Sequence, residues 1–315
     1  MKKKLLFAVA VCLTLVGAML ANTKNTYAEA AAVKISPVAN AINIKAGQSQ
    51  NYQFTLENMS QKDYKFKLYT APYNVINEEY DADFTNETNY NQITRWVTFE
   101  DDSGSFVKDP VYKIKAGEKR SIIYRVSVPD DIPGGGQYCV IFAESVDDEN
   151  FSGSGTSAGI GSVSRVSLIL LGHGDGETRD TAEITDFSLT GMFTAKNIDA
   201  MAKVKNSGNT DFLAVYTLSV KSLFGTPIYS GSDNFIVLPE TQRKFATSWA
   251  EAPLFGVFNV TFTVDALDQT KTESHVILIL PAFVVVIALL LLTSIVVWTI
   301  ILIRKRKERS SRLVV

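Results

Sequence analysis

The chain has 315 residues, of which 46% are hydrophobic and 20% charged, with a formal net charge of −2, enough for about two domains. That balance excludes a disordered chain and gives no basic surplus for a nucleic-acid partner. Two Cys and two His exclude a disulfide scaffold, a Cys/His zinc site and haem attachment.

In chain order, residues 1–30 read as a secretory signal peptide. Lys2, Lys3 and Lys4 form the charged start, Leu5 to Leu20 the apolar run, and Ala28-Glu29-Ala30 the small-x-small cleavage pattern. The alternative is an uncleaved N-terminal anchor. Cleavage would leave Cys139 as the one thiol, read as a small buried hydrophobe.

Residues 33–172 alternate apolar and polar with period two. Tyr52, Phe54 and Leu56 form one set; Tyr64, Phe66 and Leu68 a second; Ile122, Tyr124, Val126 and Val128 a third. After a Gly-rich linker at 173–179, residues 180–275 repeat the pattern in Ala214, Tyr216, Leu218 and Val220, and in Phe258, Val260, Phe262 and Val264. Such strands have one buried and one wet face. The expected fold class is all-β, two tandem immunoglobulin-like β-sandwich domains followed by a single transmembrane helix.

Turns punctuate the strands. Ile44-Lys45-Ala46-Gly47 and Ile114-Lys115-Ala116-Gly117 are the same tetrapeptide, each expected to turn on a Gly of positive φ. Asn206-Ser207-Gly208-Asn209 is another turn. Ile132 to Tyr138, with Gly134, Gly135 and Gly136, reads as a hairpin between strands 121–128 and 137–144, since no Gly-Lys-Ser/Thr follows to make a phosphate loop. Residues 152–162 read as a long hairpin loop.

Val276 to Ile303 is 28 residues without a charge, more than the roughly 20 that cross a bilayer. Pro281 suits the first turn of the helix, with 276–280 as its approach. Arg304, Lys305, Arg306, Lys307, Arg309 and Arg312 follow, against Glu308. By the positive-inside rule the tail 304–315 is cytoplasmic and residues 31–275 lie outside, a type I single-pass arrangement in the plasma membrane. The outer part then carries 21 Lys and Arg against 31 Asp and Glu, and the basic tail suits anionic inner-leaflet lipid.

Little catalytic chemistry is legible. His173 falls in the linker and His275 at the membrane edge, so neither is placed to activate a nucleophile. Asp81 and Asp83 lack the twelve-residue loop of a Ca²⁺ site. An acidic pair such as Glu79 and Asp83 could serve a cell-wall hydrolase, but any acidic loop offers such pairs. No catalytic residue, metal ligand or cofactor is assigned. Four Asn-x-Ser/Thr sequons, at Asn58, Asn86, Asn150 and Asn259, count only in a eukaryotic pathway, and the signal peptide looks bacterial.

One stretch breaks the alternation. Tyr73, Tyr80, Phe84 and Tyr90 stand among Asn, Asp and Glu in more than 20 residues, followed by Trp96. Long irregular loops in compact domains are often functional, and tyrosines beside amides and carboxylates suit carbohydrate. Tyr73, Tyr80, Tyr90 and Trp96 are therefore the candidate ligand-binding residues. The competing reading is that these aromatics fold back over the edge of the sandwich.

Several segments carry a family resemblance. They are Ile35-Ser36-Pro37; Ile44 to Gln48 entering a strand; Arg95-Trp96-Val97; the Lys115-Ala116-Gly117-Glu118 turn; and Val126-Ser127-Val128-Pro129-Asp130-Asp131-Ile132-Pro133-Gly134-Gly135 leading to Gln137-Tyr138. In this order they resemble the WxL-interacting protein family of Gram-positive cell surfaces, including its N-terminal peptidoglycan-binding domain. The resemblance implies a membrane-held, non-catalytic surface protein whose first domain contacts peptidoglycan or another cell-wall glycan and whose second engages WxL-type surface proteins. The alternative is an accessory or chaperone-like ectodomain that captures another chain by strand addition.

Overall fold

Period-two alternation puts every second side chain on one face of a strand, and burial of that face selects two packed sheets. The computed structural model describes residues 33–146, 164–194 and 197–312; the expected signal peptide and the 152–162 loop lie outside these. The first domain contains β1 (Val33–Ser36), β2 (Ala39–Ile44), β3 (Ser49–Asn58), β4 (Tyr64–Pro72), β5 (Asn74–Val75), β6 (Ala82–Asp83), β7 (Val97–Glu100), β8 (Phe106–Val107), β9 (Val111–Ile114), β10 (Lys119–Ser127), β11 (Gly136–Val146) and β12 (Arg165–Gly174). One sheet has the order β1-β3-β10-β7-β8 and the other β2-β12-β11-β4-β9. Between them lie Phe54, Leu56, Phe66, Leu68, Ile122, Tyr124, Cys139 and Ile141, all buried. Gly47 and Gly117 have φ of +70° and +71°, as the repeated tetrapeptide required.

The second domain follows with β13 (Ala182–Leu189), β14 (Phe193–Thr194), β15 (Ile198–Asn206), β16 (Phe212–Ser222), β17 (Pro227–Val237), β18 (Gln242–Trp249), β19 (Gly256–Ala266) and β20 (Gln269–Ile279). Its sheets are β13-β15-β18 and β14-β20-β19-β16-β17. Ala200, Ala202, Val204, Leu218, Phe245, Trp249, Phe258 and Phe262 fill the space between them. The fold is all-β, two Ig-like sandwiches in tandem followed by one long apolar helix, α1 (Ala282–Arg312). β20 takes up the expected approach segment to Ile279, and residues 282–304 of α1 are long and apolar enough to cross a membrane.

Two local expectations are corrected. The 132–138 segment is no hairpin: β10 and β11 belong to different sheets, so this segment crosses from one layer of the sandwich to the other. A crossing and a hairpin both require Pro and Gly between strands, so local sequence does not separate them. The stretch after β4 is also more ordered than a bare loop, holding the small β5–β6 hairpin and a 3-10 turn at Gln92–Arg95.

Asn58 and Asn206 occupy equivalent turns and are fully buried. Asn58 Nδ2 donates to the carbonyls of Lys62, Ile114 and Lys115 at 2.8, 3.1 and 3.1 Å, and its Oδ1 accepts from the Ser60 hydroxyl at 2.6 Å. Asn206 Nδ2 donates to the carbonyls of Thr210 and Val237, and its Oδ1 accepts from Gly208 N. Each amide supplies the partners that buried turn backbone needs. The sequon at Asn58 is therefore inaccessible in the fold.

Candidate functional site at the junction of the two domains

The aromatic stretch does not stand out in solvent. β11 is buried along both faces: Cys139, Ile141 and Ala143 face the core, while Tyr138, Val140 and Phe142 are covered from outside. Phe84 meets Phe142 edge-on at 5.0 Å between ring centroids, and Tyr73 stacks beside Phe84 at 6.3 Å. Tyr138 N donates to the carbonyl of Tyr90 at 2.6 Å. Gln137, fully buried, donates to the carbonyl of Asn89 at 2.6 Å and accepts from Ile93 N at 3.3 Å. Asn91 closes the loop on itself through Asn74 and the carbonyl of Asn86. Much of the loop is therefore pinned by backbone and amide hydrogen bonds.

Its tip reaches the second domain. Tyr80 sits at φ +67°, a conformation L residues adopt at a cost. The hydroxyl accepts from Leu238 N at 2.7 Å and lies 2.6 Å from Thr241 Oγ1, which donates onward to the carbonyl of Leu238. The Arg243 guanidinium lies 4.1 Å from the ring centroid, a cation–π contact strengthened by partial desolvation. Burial pushes the Tyr80 hydroxyl above its ordinary range and lowers the Arg243 pKa. Lys244 N donates to the Glu78 carbonyl at 2.8 Å, Lys203 Nζ reaches the Glu78 carboxylate at 2.8 Å, and Lys244 Nζ lies 3.3 Å from Glu79. Tyr90 donates to Glu240 at 3.0 Å.

A second contact lies beside this one. Asp211 Oδ1, nearly buried, accepts from Tyr138 at 2.8 Å and from His173 Nε2 at 2.8 Å, and Asp211 N donates back to the Tyr138 oxygen. Gly136 N donates to the Asn209 carbonyl at 2.8 Å, so the glycine run lies backbone to backbone against the second domain. Between the two contacts opens a cleft of about 530 Å³ whose lining includes Tyr73, Asn74, Tyr90, Tyr138 and Glu240.

The predicted residues thus divide. Tyr73 and Tyr90 line the cleft, Tyr80 is committed to the second domain beside it, and Trp96 is elsewhere. Trp96 is 7% exposed and packs in the core of the first domain, because the 3-10 turn ahead of it, closed by Trp96 N on the Ile93 carbonyl, turns the ring inward. That placement corrects its expected role as a surface ligand contact. Of the acidic pair, Glu79 is engaged by Lys244, and Asp83 accepts from Thr85 and Asn86, bonds that lower its pKa. A carboxyl held ionised in this way is unsuited to act as a general acid. Burial pushes the Cys139 thiol up to about 12, the behaviour of a packing residue. Among the described residues no cluster of three or more His, Cys, Asp or Glu could hold a metal. Asp211, Glu240 and Arg243 escaped the sequence reading because each is an ordinary polar residue in a turn or strand; the Asn-Ser-Gly-Asn turn just before Asp211 was the one local signal.

No family model matches the chain, and no curated protein does. Among solved structures, it is similar to a chain of the chaperone–tip adhesin complex of CFA/I fimbriae biogenesis (14% identity, covering 80% of this chain and 100% of that one, TM-score 0.38). It is also similar to a chain of the CsuC–CsuE chaperone–tip adhesion subunit pre-assembly complex of Acinetobacter baumannii (15%, 78% and 98%, TM-score 0.38) and to the E. coli chaperone DraB (9%, 78% and 97%, TM-score 0.36). This likeness is one of fold class alone.

The His173–Asp211 contact makes the junction sensitive to pH. The hydrogen bond to Asp211, aided by its charge, raises the His173 pKa against partial burial. A pKa raised by folding adds stability that is complete below the unfolded value of about 6.5 and is lost as pH rises through the folded value. Thermal unfolding of the full chain in detergent should therefore shift to lower temperature as pH rises from about 6 to about 8. His173→Gln should flatten that slope; an unchanged slope would remove His173 as its source.

Proposed function

We propose that the chain is a single-pass type I membrane protein that holds a non-catalytic binding unit outside the cell and captures an extended segment of another polypeptide along β17. The observation that carries this reading is the edge strand itself. β17 has 11 residues, pairs with β16 alone among the described residues, and contains one charged residue, Asp233. Long, uncharged edges are normally blunted because they invite pairing with other chains. Other edges of this protein are blunted along their length, β13 by a bulge between Thr185 and Ser188 and β18 by Glu78 through Lys244 N. In β17 the irregularity is confined to its start at Pro227–Tyr229 and the Ile236 carbonyl is taken by Arg243 Nη1, which leaves the stretch between them regular. An added strand would gain main-chain hydrogen bonds from the β17 edge and selectivity from alternate side chains. The resemblance to WxL-interacting proteins makes WxL-type surface proteins the partner class to try first.

A photo-crosslinking residue at Ser230 tests this. In intact cells it should yield one discrete adduct with a second polypeptide that survives cell-wall digestion, while the same residue at Thr263, in β19 and paired on both sides by β16 and β20, should yield none. Equal yields from both positions, or none from Ser230, would contradict it.

The cleft favours a second reading, contact with peptidoglycan or another cell-wall glycan, because Tyr73 and Tyr90 stand there beside Asn74 and Glu240, apolar ring area next to hydrogen-bonding groups. Sedimentation of the solubilised full chain with insoluble peptidoglycan, and its loss in Tyr90→Ala, would support it. Sedimentation no better than that of an unrelated acidic sandwich protein would remove it.

A further inference from the structure

The sheet registers fix which loops of the second domain face the root of α1. Ile279 pairs with Gly256, and Phe258 pairs with Ser222. Phe193 and Thr194 run alongside Leu278 and Ile279, and Leu280 N donates to the Thr194 carbonyl. The 190–194 segment, the 223–226 turn and the 250–255 loop therefore all lie at the end of the sandwich where β20 passes, through Leu280 and Pro281, into α1. The junction with the first domain, at Asn209, Asp211, Leu238 and Thr241, is at the other end.

Each of these three segments presents a pair of large apolar side chains to solvent: Met192-Phe193, Leu223-Phe224 and Leu254-Phe255. Phe224 is 94% exposed, Phe193 72% and Phe255 69%. A scattered exposed Leu needs no explanation, but three apolar pairs on separate loops at one end of a domain do. Strands rise about 3.3 Å per residue, so Phe224, two residues beyond the Ser222–Phe258 pair, is level with Ile279, whose partner Gly256 is two residues from Phe258. Charged groups flank the apolar pairs: Glu251 and Lys221 are exposed beside the loop tips, and farther along β20 His275 contacts Glu273 at 2.8 Å and the Thr190 carbonyl at 3.2 Å.

We propose that these three loop tips enter the interfacial layer of the outer leaflet, so that the second domain stands on the lipid surface through Phe193, Phe224 and Phe255 as well as hanging from α1. The occupant is lipid because the tips share the level at which the chain passes into its apolar helix. Aromatic side chains favour that depth, and apolar side chains of peripheral elements insert about 5–10 Å. Three points of contact around one stem would hold the sandwich upright and set the height of β17 above the membrane. This inference rests on the reading that α1 spans a bilayer.

The test uses the full chain in phosphatidylcholine liposomes, with single cysteines introduced by Phe193→Cys, Phe224→Cys and Phe255→Cys and labelled with an environment-sensitive fluorophore. Cys139 is buried and stays unlabelled, and every variant also carries Cys12→Ser. Ile295→Cys, within α1, reports the bilayer core, and Leu267→Cys, at the opposite end of the domain, reports water. The three loop labels should be blue-shifted and quenched several-fold more by nitroxide-bearing lipid than by aqueous iodide, with Leu267→Cys showing the reverse. Loop labels behaving like Leu267→Cys while Ile295→Cys is lipid-quenched would overturn the inference and leave the anchor standing. Loop labels shielded from both quenchers would overturn it in favour of contact with a second copy. Absence of lipid quenching at Ile295→Cys would overturn the anchor itself.

Discussion

Tyr80→Ala is expected to destabilise the two-domain unit by about 4 kcal/mol or more and to split its thermal unfolding into two transitions. Truncating a buried aromatic costs about 3–5 kcal/mol, and partial exposure of Tyr80 lowers that figure. Leu238 N, which donates to the Tyr80 hydroxyl, would lose its partner at a cost of about 1–3 kcal/mol. The Arg243 stack adds about 1 kcal/mol. Nothing offsets these losses, because alanine at φ +67° retains the backbone strain. Tyr80→Phe separates the terms: it keeps ring and stack and should cost about 1–2 kcal/mol. Calorimetry of the full chain in detergent reads both effects. One transition with a loss under about 0.5 kcal/mol would mean that the loop tip does not couple the domains.

Gly135→Ala is the second large effect, with Gly117→Ala as its internal standard. Both glycines have positive φ, +103° and +71°, and alanine at such a position costs about 1 kcal/mol or somewhat more. At Gly117 an added Cβ meets nothing within 4 Å, whereas at Gly135 it would overlap the carbonyl oxygen of Asn209. That oxygen accepts from Gly136 N and cannot move away without breaking the junction. Gly117→Ala should therefore cost about 1 kcal/mol and Gly135→Ala about 3 kcal/mol or more. Chemical denaturation of the two variants side by side checks the difference. Equal losses would show that the glycine run is a turn requirement and no part of the domain contact.

Much of the fold was legible because it depends on one-sided burial. β3, β10, β16 and β19 alternate as expected, their inward residues forming the two cores. The long apolar run was also legible, although hydropathy does not show that β20 continues to Ile279 before α1 begins at Ala282; Pro281 marks that change. β11 is buried on both faces, which alternation alone does not anticipate, since its second cover is the aromatic stretch that follows β4, far earlier in the chain.

That stretch was identifiable as unusual, but its partners were not. What Tyr80 touches lies 161 residues along the chain at Thr241, and the same composition of tyrosine, amide and carboxylate serves a sugar or a protein surface equally well. Trp96 shows the same limit. An aromatic between a loop and a strand can face either way, and the turn at Gln92–Arg95 decides it. The apolar pairs at the foot of the second domain are each unremarkable in sequence; strand register alone brings them to one level.

The central claim is that the two sandwiches work outside the membrane, held by α1. In a Cys12→Ser background, with Cys139 buried, cysteines introduced by Ser230→Cys in β17 and Ser311→Cys beyond the apolar part of α1 test it, with a membrane-impermeant maleimide added to intact cells and again after lysis. The account predicts modification of Ser230→Cys in intact cells and of Ser311→Cys after lysis alone. Protection of Ser230→Cys until lysis, under conditions that label a known exterior protein, would contradict it.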